Sequence, residues 1–328
     1  MVPEYVKICL DTLHRGGHAA HPVGGCVRDT LLGRKPGDWD VTTSARPEQV
    51  MALFSHTVPT GAHHGTVTVV LEGGTVEVTT FRREEGYADG RHPDMVCFDV
   101  GLTEDLARRD FTVNAMAFGA AGEVIDPFGG QEDLKKGVIR AVGDPRRRFR
   151  EDALRILRAI RFAARLGFVI EPETASAMEE ETARLACVSA ERVVSELEKT
   201  LLSAAPEQVG EFFRLGAMER FGCSCRQADW KALSLLPAEG DFRWRELCAL
   251  TGLDITALPV SRRLRRAVLS PYAGMEKNLA LSGGDLYALG LRGKQIGAMQ
   301  KRLLAYVLEH PEENRKENLM EIMKKSAE

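Results

Sequence analysis

The stretch Val23–Thr43, VGGCVRDTLLGRKPGDWDVTT, decides how the rest of the chain reads. Gly24 and Gly25 open it, Arg28 and Asp29 follow on a short helix, and Gly33 and Gly37 bracket a turn before a strand beginning at Asp38. Residues two apart on an extended chain share a face, so Asp38 and Asp40 present paired carboxylates. Paired acids repel each other unless a hard cation sits between them. Mg²⁺ takes oxygen ligands, keeps several waters and joins one or two carboxylates to substrate phosphates. The glycines let the backbone approach a phosphate, and a helix start behind them offers unpaired N–H groups to an anion. A Gly-Gly turn or a solvated Asp-x-Asp is commonplace alone. Together in one β-turn-helix-turn-β unit they point to phosphoryl or nucleotidyl transfer.

Around this unit the chain reads as mixed α/β up to about residue 143. Residues 4–14 form an amphipathic helix, 19–23 a strand, and PEQVMALF from Pro47 a helix with proline in its first turn. Thr66–Leu71 and Thr75–Phe81 are β-branched strands of a hairpin turned at Glu72-Gly73-Gly74. On its second strand Glu77 either faces water or joins Asp38 and Asp40 as a third carboxylate. Residues 83–94, REEGYADGRHPD, are polar and aperiodic and read as a mobile loop. A helix over 102–109, a strand within the segment ending at Phe118, a turn at 126–130 and a strand over 138–142 complete this part. Beyond it strand signals vanish. Helices are expected over 145–166, 173–186, 191–202, 207–215, 261–269, 294–309 and 313–325.

The 328 residues suffice for two or three domains, and the composition, 44% hydrophobic and 28% charged, is that of a globular protein. A net charge of -3 gives no global basic signal, so any nucleic-acid contact rests on a local patch. Seven cysteines without a Cys-x-x-Cys spacing argue against a zinc site and a complete disulfide framework. No apolar run reaches membrane-spanning length and the N-terminus does not read as a signal peptide, so a soluble cytoplasmic protein is expected.

A second constellation lies in REDALRILRAIR, residues 150–161, where Asp152, Arg155, Arg158 and Arg161 recur every three residues. Such a row is commonly a solvated, salt-bridged face. Here apolar residues are spread around the helix, which implies packing on much of its surface. An Asp-x-x-Arg pair can read a base: the carboxylate accepts from an exocyclic amine and the guanidinium donates to the adjacent ring nitrogen. Cytosine and adenine present that pattern, whereas uracil and guanine present the reverse. Unpaired buried polar groups cost roughly 1–3 kcal/mol each, so such a site rejects mismatches by about 10⁴-fold.

GGCVRD with GDWDVTTSA, then VEVTTFR, EDLARRDFTVNAMAF, DPFGG and EDALRILRAIRFAARLGF run in order over residues 23–168. Together they resemble the class II tRNA nucleotidyltransferases, the bacterial CCA-adding enzymes of the polymerase-β-like superfamily, related to bacterial poly(A) polymerases. The resemblance implies an α+β fold. A nucleotidyltransferase head with a small mixed sheet would span 1–143, a base-recognising helical neck 144–202, and a tRNA-binding helical body and tail 203–328. It implies that Asp38 and Asp40 hold Mg²⁺ and that Gly25, Arg28 and Arg109 contact the nucleotide. Asp152 and Arg155 would form the protein template for the base, with Arg158 and Arg161 assisting and Glu77 a plausible third acid. The implied reaction is template-independent addition of CCA to the tRNA 3′ end from CTP and ATP, with release of pyrophosphate. No obligatory protein partner is evident.

EGYADGRHPD resembles the loop that full CCA-adding members need to switch to ATP, which favours complete addition over a CC-only specialist; an A-only specialist stays the alternative, since no head-domain signature marks it. No arginine-rich signature follows Asp40, which disfavours poly(A) polymerase, and the full acid and arginine set disfavours a non-catalytic tRNA-binding protein. Relative to typical bacterial members the chain is short, and the shortage falls around residues 220–275. There the basic helix SRRLRRAVL either contacts tRNA phosphates or is simply solvated.

Overall fold

The computed structural model describes residues 2–62, 65–87, 94–238, 240–269, 279–310 and 313–325. They fall into two compact units, Met1–Ala217 and Met218–Glu328.

The first unit is built on a five-stranded sheet. Its strands are β1 (Ala20–Pro22), β2 (Asp40–Thr43), β3 (Thr57–Gly61), β4 (Thr66–Leu71) and β5 (Gly74–Thr80), in the order β1-β2-β5-β4-β3. Only β2 and β5 pair in parallel, with Asp40 opposite Glu77; the other neighbours are antiparallel. Helices α1 (Glu4–Arg15), α2 (Gly25–Leu31) and α3 (Pro47–Leu53) accompany it. The alternating Val67, Val69, Val76 and Val78 of the central hairpin are buried, as period-2 patterning requires. β3 escaped sequence reading because Pro59 interrupts it; the strand lies at the sheet edge with an irregular register between Val58 and Gly61, where proline is tolerated.

Residues 83–94 are not all loop. β6 (Arg83–Glu85) pairs with β7 (Met95–Cys97), while residues 88–93, part of the expected mobile segment, lie outside the described residues. Next come α4 (Leu102–Ala107), a 3₁₀ turn at Thr112–Asn114, the short pair β8 (Ala117–Phe118) and β9 (Val124–Ile125), and α5 (Gly130–Lys136).

The expected single helix over 145–166 is broken into α6 (Pro145–Glu151) and α7 (Leu154–Leu166). Asp152 adopts φ -152° and ψ 105°, and its Oδ1 accepts from the Leu154 N–H at 3.1 Å. Aspartate competes for backbone donors in this way and therefore favours helix starts over interiors. Strands also do not end at residue 143. β10 (Val138–Ile139) pairs in parallel with β11 (Val169–Ile170), a pair too short to show periodicity in sequence. The unit closes with α8 (Pro172–Glu180), α9 (Ala190–Leu201) and α10 (Gly210–Arg214). As its mixed patterning implied, α7 is buried nearly all round, from Leu154 to Leu166.

The second unit is helical where described: α11 (Gly240–Thr251), α12 (Arg262–Leu269), α13 (Gly283–Ala288), α14 (Lys294–Glu309) and α15 (Lys316–Lys325). Leu279, Leu281, Leu286, Leu303, Leu304 and Leu319 form a core among the last three helices. On α12 the residues Arg262, Arg263 and Arg266 are exposed. No helix among the described residues is long and apolar enough to cross a membrane.

Candidate active site

The Gly-Gly turn is pinned between two strands. Val23 N–H donates to the Asp40 carbonyl and Gly24 N–H to the Met116 carbonyl, both at 3.0 Å. Gly24 has φ +80°, and a Cβ there would stand 2.8 Å from Arg109 Nη1. Glycine is therefore required twice over, for its backbone conformation and for the close passage of a guanidinium. α2 starts at Gly25 and carries Arg28 inward. Arg28 is buried; its Nε donates to Asp29 Oδ1 at 2.8 Å and its Nη1 to Asn114 Oδ1 at 2.5 Å.

A polar cleft of about 440 Å³ opens here. Its lining brings together Gly25, Arg28, Asp40, Arg109, Asp152, Arg155, Arg158 and Arg161, eight residues marked in the sequence. Two others lie beside it rather than in its wall. Asp38 is exposed in the bend before β2, which begins two residues later than its sequence suggests, at Asp40, where its pairing with Glu77 of β5 opens. Glu77 is exposed on β5 across from Asp40.

Both of these acids act on Asp40. Burial first, then the neighbouring Glu77 and Asp38 carboxylates, push the Asp40 carboxyl up to about 6 against the opposing pull of Arg109. These acids offer oxygens alone, the donors a hard divalent cation takes, although among the described residues no three acidic, histidine or cysteine side chains are grouped closely enough to hold a metal ion. Arg109 is equally poised. Its Nη2 reaches Asp105 Oδ2 only at 3.5 Å, and its buried Nε has no hydrogen-bond partner among the described residues. Burial lowers its affinity for a proton, opposed by Asp105 and by Asp40. A phosphate oxygen would satisfy that orphaned donor.

Asp105, fully buried, anchors this corner by accepting from Thr42 Oγ1 at 3.0 Å and from Arg108 Nη2 at 2.9 Å. Asp110 and Asn114 were overlooked in the sequence, although their spacing of four within RRDFTVN places them to meet. Asn114 Nδ2 donates to Asp110 Oδ1 at 3.2 Å, and Arg158 Nε donates to Asp110 Oδ2 at 2.8 Å. Burial works against ionisation of Asp110, but Arg158, Asn114 and Arg155 outweigh it and hold the carboxyl down at about 2.

Asp152 and Arg155 both line the cleft, yet their side chains are held by other partners and not by each other. Arg155 donates from Nη1 to Glu151 Oε2 at 2.7 Å and to the Arg148 carbonyl at 3.1 Å, and from Nη2 to the Arg108 carbonyl at 3.1 Å. These bonds engage three of the five N–H donors of a guanidinium and lock its plane. Asp152 is gripped by Arg192 of α9, forty residues away and without any local signal in sequence. Arg161 is held by Glu196, also of α9. Under the row lies Phe162, with the Arg161, Arg28 and Arg158 guanidinium carbons 4.0, 5.3 and 5.4 Å from its ring centroid.

The fold and cleft combine a small mixed sheet with helices that follow it in the chain. The family described as Poly A polymerase head domain matches residues 20–140, and the one described as Probable RNA and SrmB- binding site of polymerase A matches residues 167–221. A solved structure of the Bacillus stearothermophilus CCA-adding enzyme in complex with CTP is 30% identical, with a TM-score of 0.69 covering 100% of this chain and 99% of that one. The chain belongs to the CCA-adding enzyme family. The CCA-adding enzyme of Lactiplantibacillus plantarum is 50% identical over 203 residues, 62% of this chain and 50% of that protein. That of Bacillus velezensis is 45% identical over 263 residues, 77% of this chain and 66% of that protein. In the first of these matches the chain spans about half the length of its curated relative.

Proposed function

We propose that this protein adds CCA to the 3′ end of tRNA, without a nucleic-acid template, from CTP and ATP. The carrying observation is that a phosphate-compatible turn, an acid of the carboxylate cluster and the Asp152 and Arg155 pair line one cleft. The tRNA 3′-hydroxyl attacks the α-phosphorus in line and pyrophosphate leaves. Gly25, Arg28 and Arg109 take the triphosphate, while Asp152 and Arg155 test the base. Asp38 and Asp40 would hold Mg²⁺, with Glu77 as a third acid beside them. When bound, the metal neutralises triphosphate charge and polarises the reacting oxygens. Arg158 and Arg161, fixed by Asp110 and Glu196, add positive charge without moving.

In this reading residues 1–143 act as catalytic head, 144–202 as base-recognising neck, and 203–328 as body and tail for tRNA. The exposed arginines of α12 supply salt-sensitive phosphate contacts. The test is extension of tRNA ends lacking one, two or three nucleotides, with CTP alone, ATP alone and both. CTP alone should add two residues to the end lacking three, one to the end lacking two and none to the end lacking one, and ATP should add one only to an end carrying CC. UMP or GMP incorporated at rates comparable to CMP, or no pyrophosphate release, would overturn the proposal.

A further inference from the structure

α9 reaches the cleft through Arg192, and its Glu196, one helical turn further on, holds Arg161 of the cleft lining. Arg192 grips Asp152 as a fork, Nη1 to Oδ1 at 3.1 Å and Nη2 to Oδ2 at 2.7 Å. Both side chains are largely shielded, 24% exposed for Arg192 and 17% for Asp152, and both line the cleft. Oδ1 also accepts from the Leu154 N–H at 3.1 Å. A carboxylate oxygen has two lone-pair sites, so Oδ1 is filled and Oδ2 keeps one acceptor site. The break between α6 and α7 fixes the backbone of Asp152, and the fork fixes its carboxylate plane. Nothing else bonded to Asp152 among the described residues comes from outside this helix junction.

We propose that Arg192 is a positioning residue for base selection: it holds Asp152 as a single-site acceptor and thereby sets which nucleobases the cleft takes. The proposal rests on the reading of the cleft as a nucleotide site. Held in this way, Asp152 meets the exocyclic amine of cytosine or adenine with its one open site. The carbonyl of uracil or guanine meets the same site acceptor against acceptor. Without the fork the carboxylate turns about χ2, and the vacated space admits water. One water donates both to a carboxylate and to a base carbonyl, so the mismatch is bridged instead of rejected. Arg192 thus governs discrimination without touching the base itself.

The experiment compares wild type, Arg192→Met and Arg192→Lys in single-nucleotide addition to tRNA, with kcat and KM measured separately for CTP and UTP and with thermal melting alongside. For Arg192→Met, the CTP-to-UTP ratio of kcat/KM should fall by about tenfold or more, carried by a higher KM for CTP and a gain with UTP. Arg192→Lys keeps the charge but not the fork and should lie between. A purely structural role would lower both nucleotides together, so an unchanged ratio in Arg192→Met overturns the proposal. A wild-type ratio in Arg192→Lys overturns it as well, even where Arg192→Met does not fold. Wild-type protein inactive with CTP and tRNA would instead refute the underlying function.

Discussion

Asp40 and Glu77 sit opposite each other across the single parallel strand pair of the five-stranded sheet. Their pairing makes the acid cluster a cost to the fold when no cation is bound. The Asp40 carboxyl is pushed up to about 6 by burial and by its acidic neighbours. A folded-state value raised above the unfolded one contributes stability below the unfolded value, near 3.8, and that contribution is lost as pH rises through about 6. In metal-free protein at pH 8, Asp40→Asn should therefore stabilise the fold by about 1–3 kcal/mol. At pH 5 the gain should shrink, and transfer activity should be abolished at both. Thermal melts in chelator at the two pH values, with and without added Mg²⁺, provide the check; Mg²⁺ should raise the melting temperature of wild type and not of the variant. Equal destabilisation by Asp40→Asn at both pH values would contradict this account.

Asp110 has the opposite sign. Its carboxyl is held down at about 2 by Arg158, Asn114 and Arg155 despite its burial. The resulting stability, about 2 kcal/mol by linkage, is present above the unfolded value near 4 and is lost as pH falls toward 2. Asp110→Asn should remove it, leave Arg158 without its carboxylate, and flatten the acid limb of the stability profile. Urea unfolding of both proteins between pH 2.5 and 7 measures this, and parallel acid limbs would count against it.

How much of this was legible in advance differs from residue to residue. The hairpin of β4 and β5 was plain, because its buried valines alternate with period two. Glu77 was undecided because strand register, and not composition, determines whether it meets Asp40. The break at Asp152 was invisible amid good helix formers, since one side-chain bond to the Leu154 N–H decides it. Asp152 and Arg155 line one cleft with Asp40, but their anchors were not seen. Glu151 is a near neighbour whose role was simply not weighed, whereas Arg192 is brought in by helix packing across forty residues. Pairings made by tertiary structure leave no spacing to read.

Gly24 offers a test of the phosphate-binding corner. At φ +80° an L side chain is strained, and its Cβ would lie 2.8 Å from Arg109 Nη1. Gly24→Ala should cost about 1–3 kcal/mol of stability and displace the guanidinium. Binding of CTP, ATP and free pyrophosphate should all weaken, because the lost contact serves the shared triphosphate and not the base. Calorimetric titration with the three ligands checks this. Loss of CTP binding with pyrophosphate binding intact would show that Gly24 acts elsewhere.

Phe162 separates charge placement from base reading. Three guanidiniums gather on one buried ring that also packs edge-on against Phe111, centroids 5.7 Å apart. Each cation over such a ring is worth about 0.5–2 kcal/mol, and a leucine supplies the apolar contact without the quadrupole. Phe162→Leu should therefore destabilise the protein by about 2–4 kcal/mol and loosen Arg28, Arg158 and Arg161 together. KM should rise for CTP and ATP alike. Discrimination against UTP should persist, since the anchors of Asp152 and Arg155 are Arg192 and Glu151, not the ring. Steady-state kinetics with all four nucleotides provides the measurement. Relaxed selectivity in Phe162→Leu would mean that the aromatic platform itself takes part in judging the base.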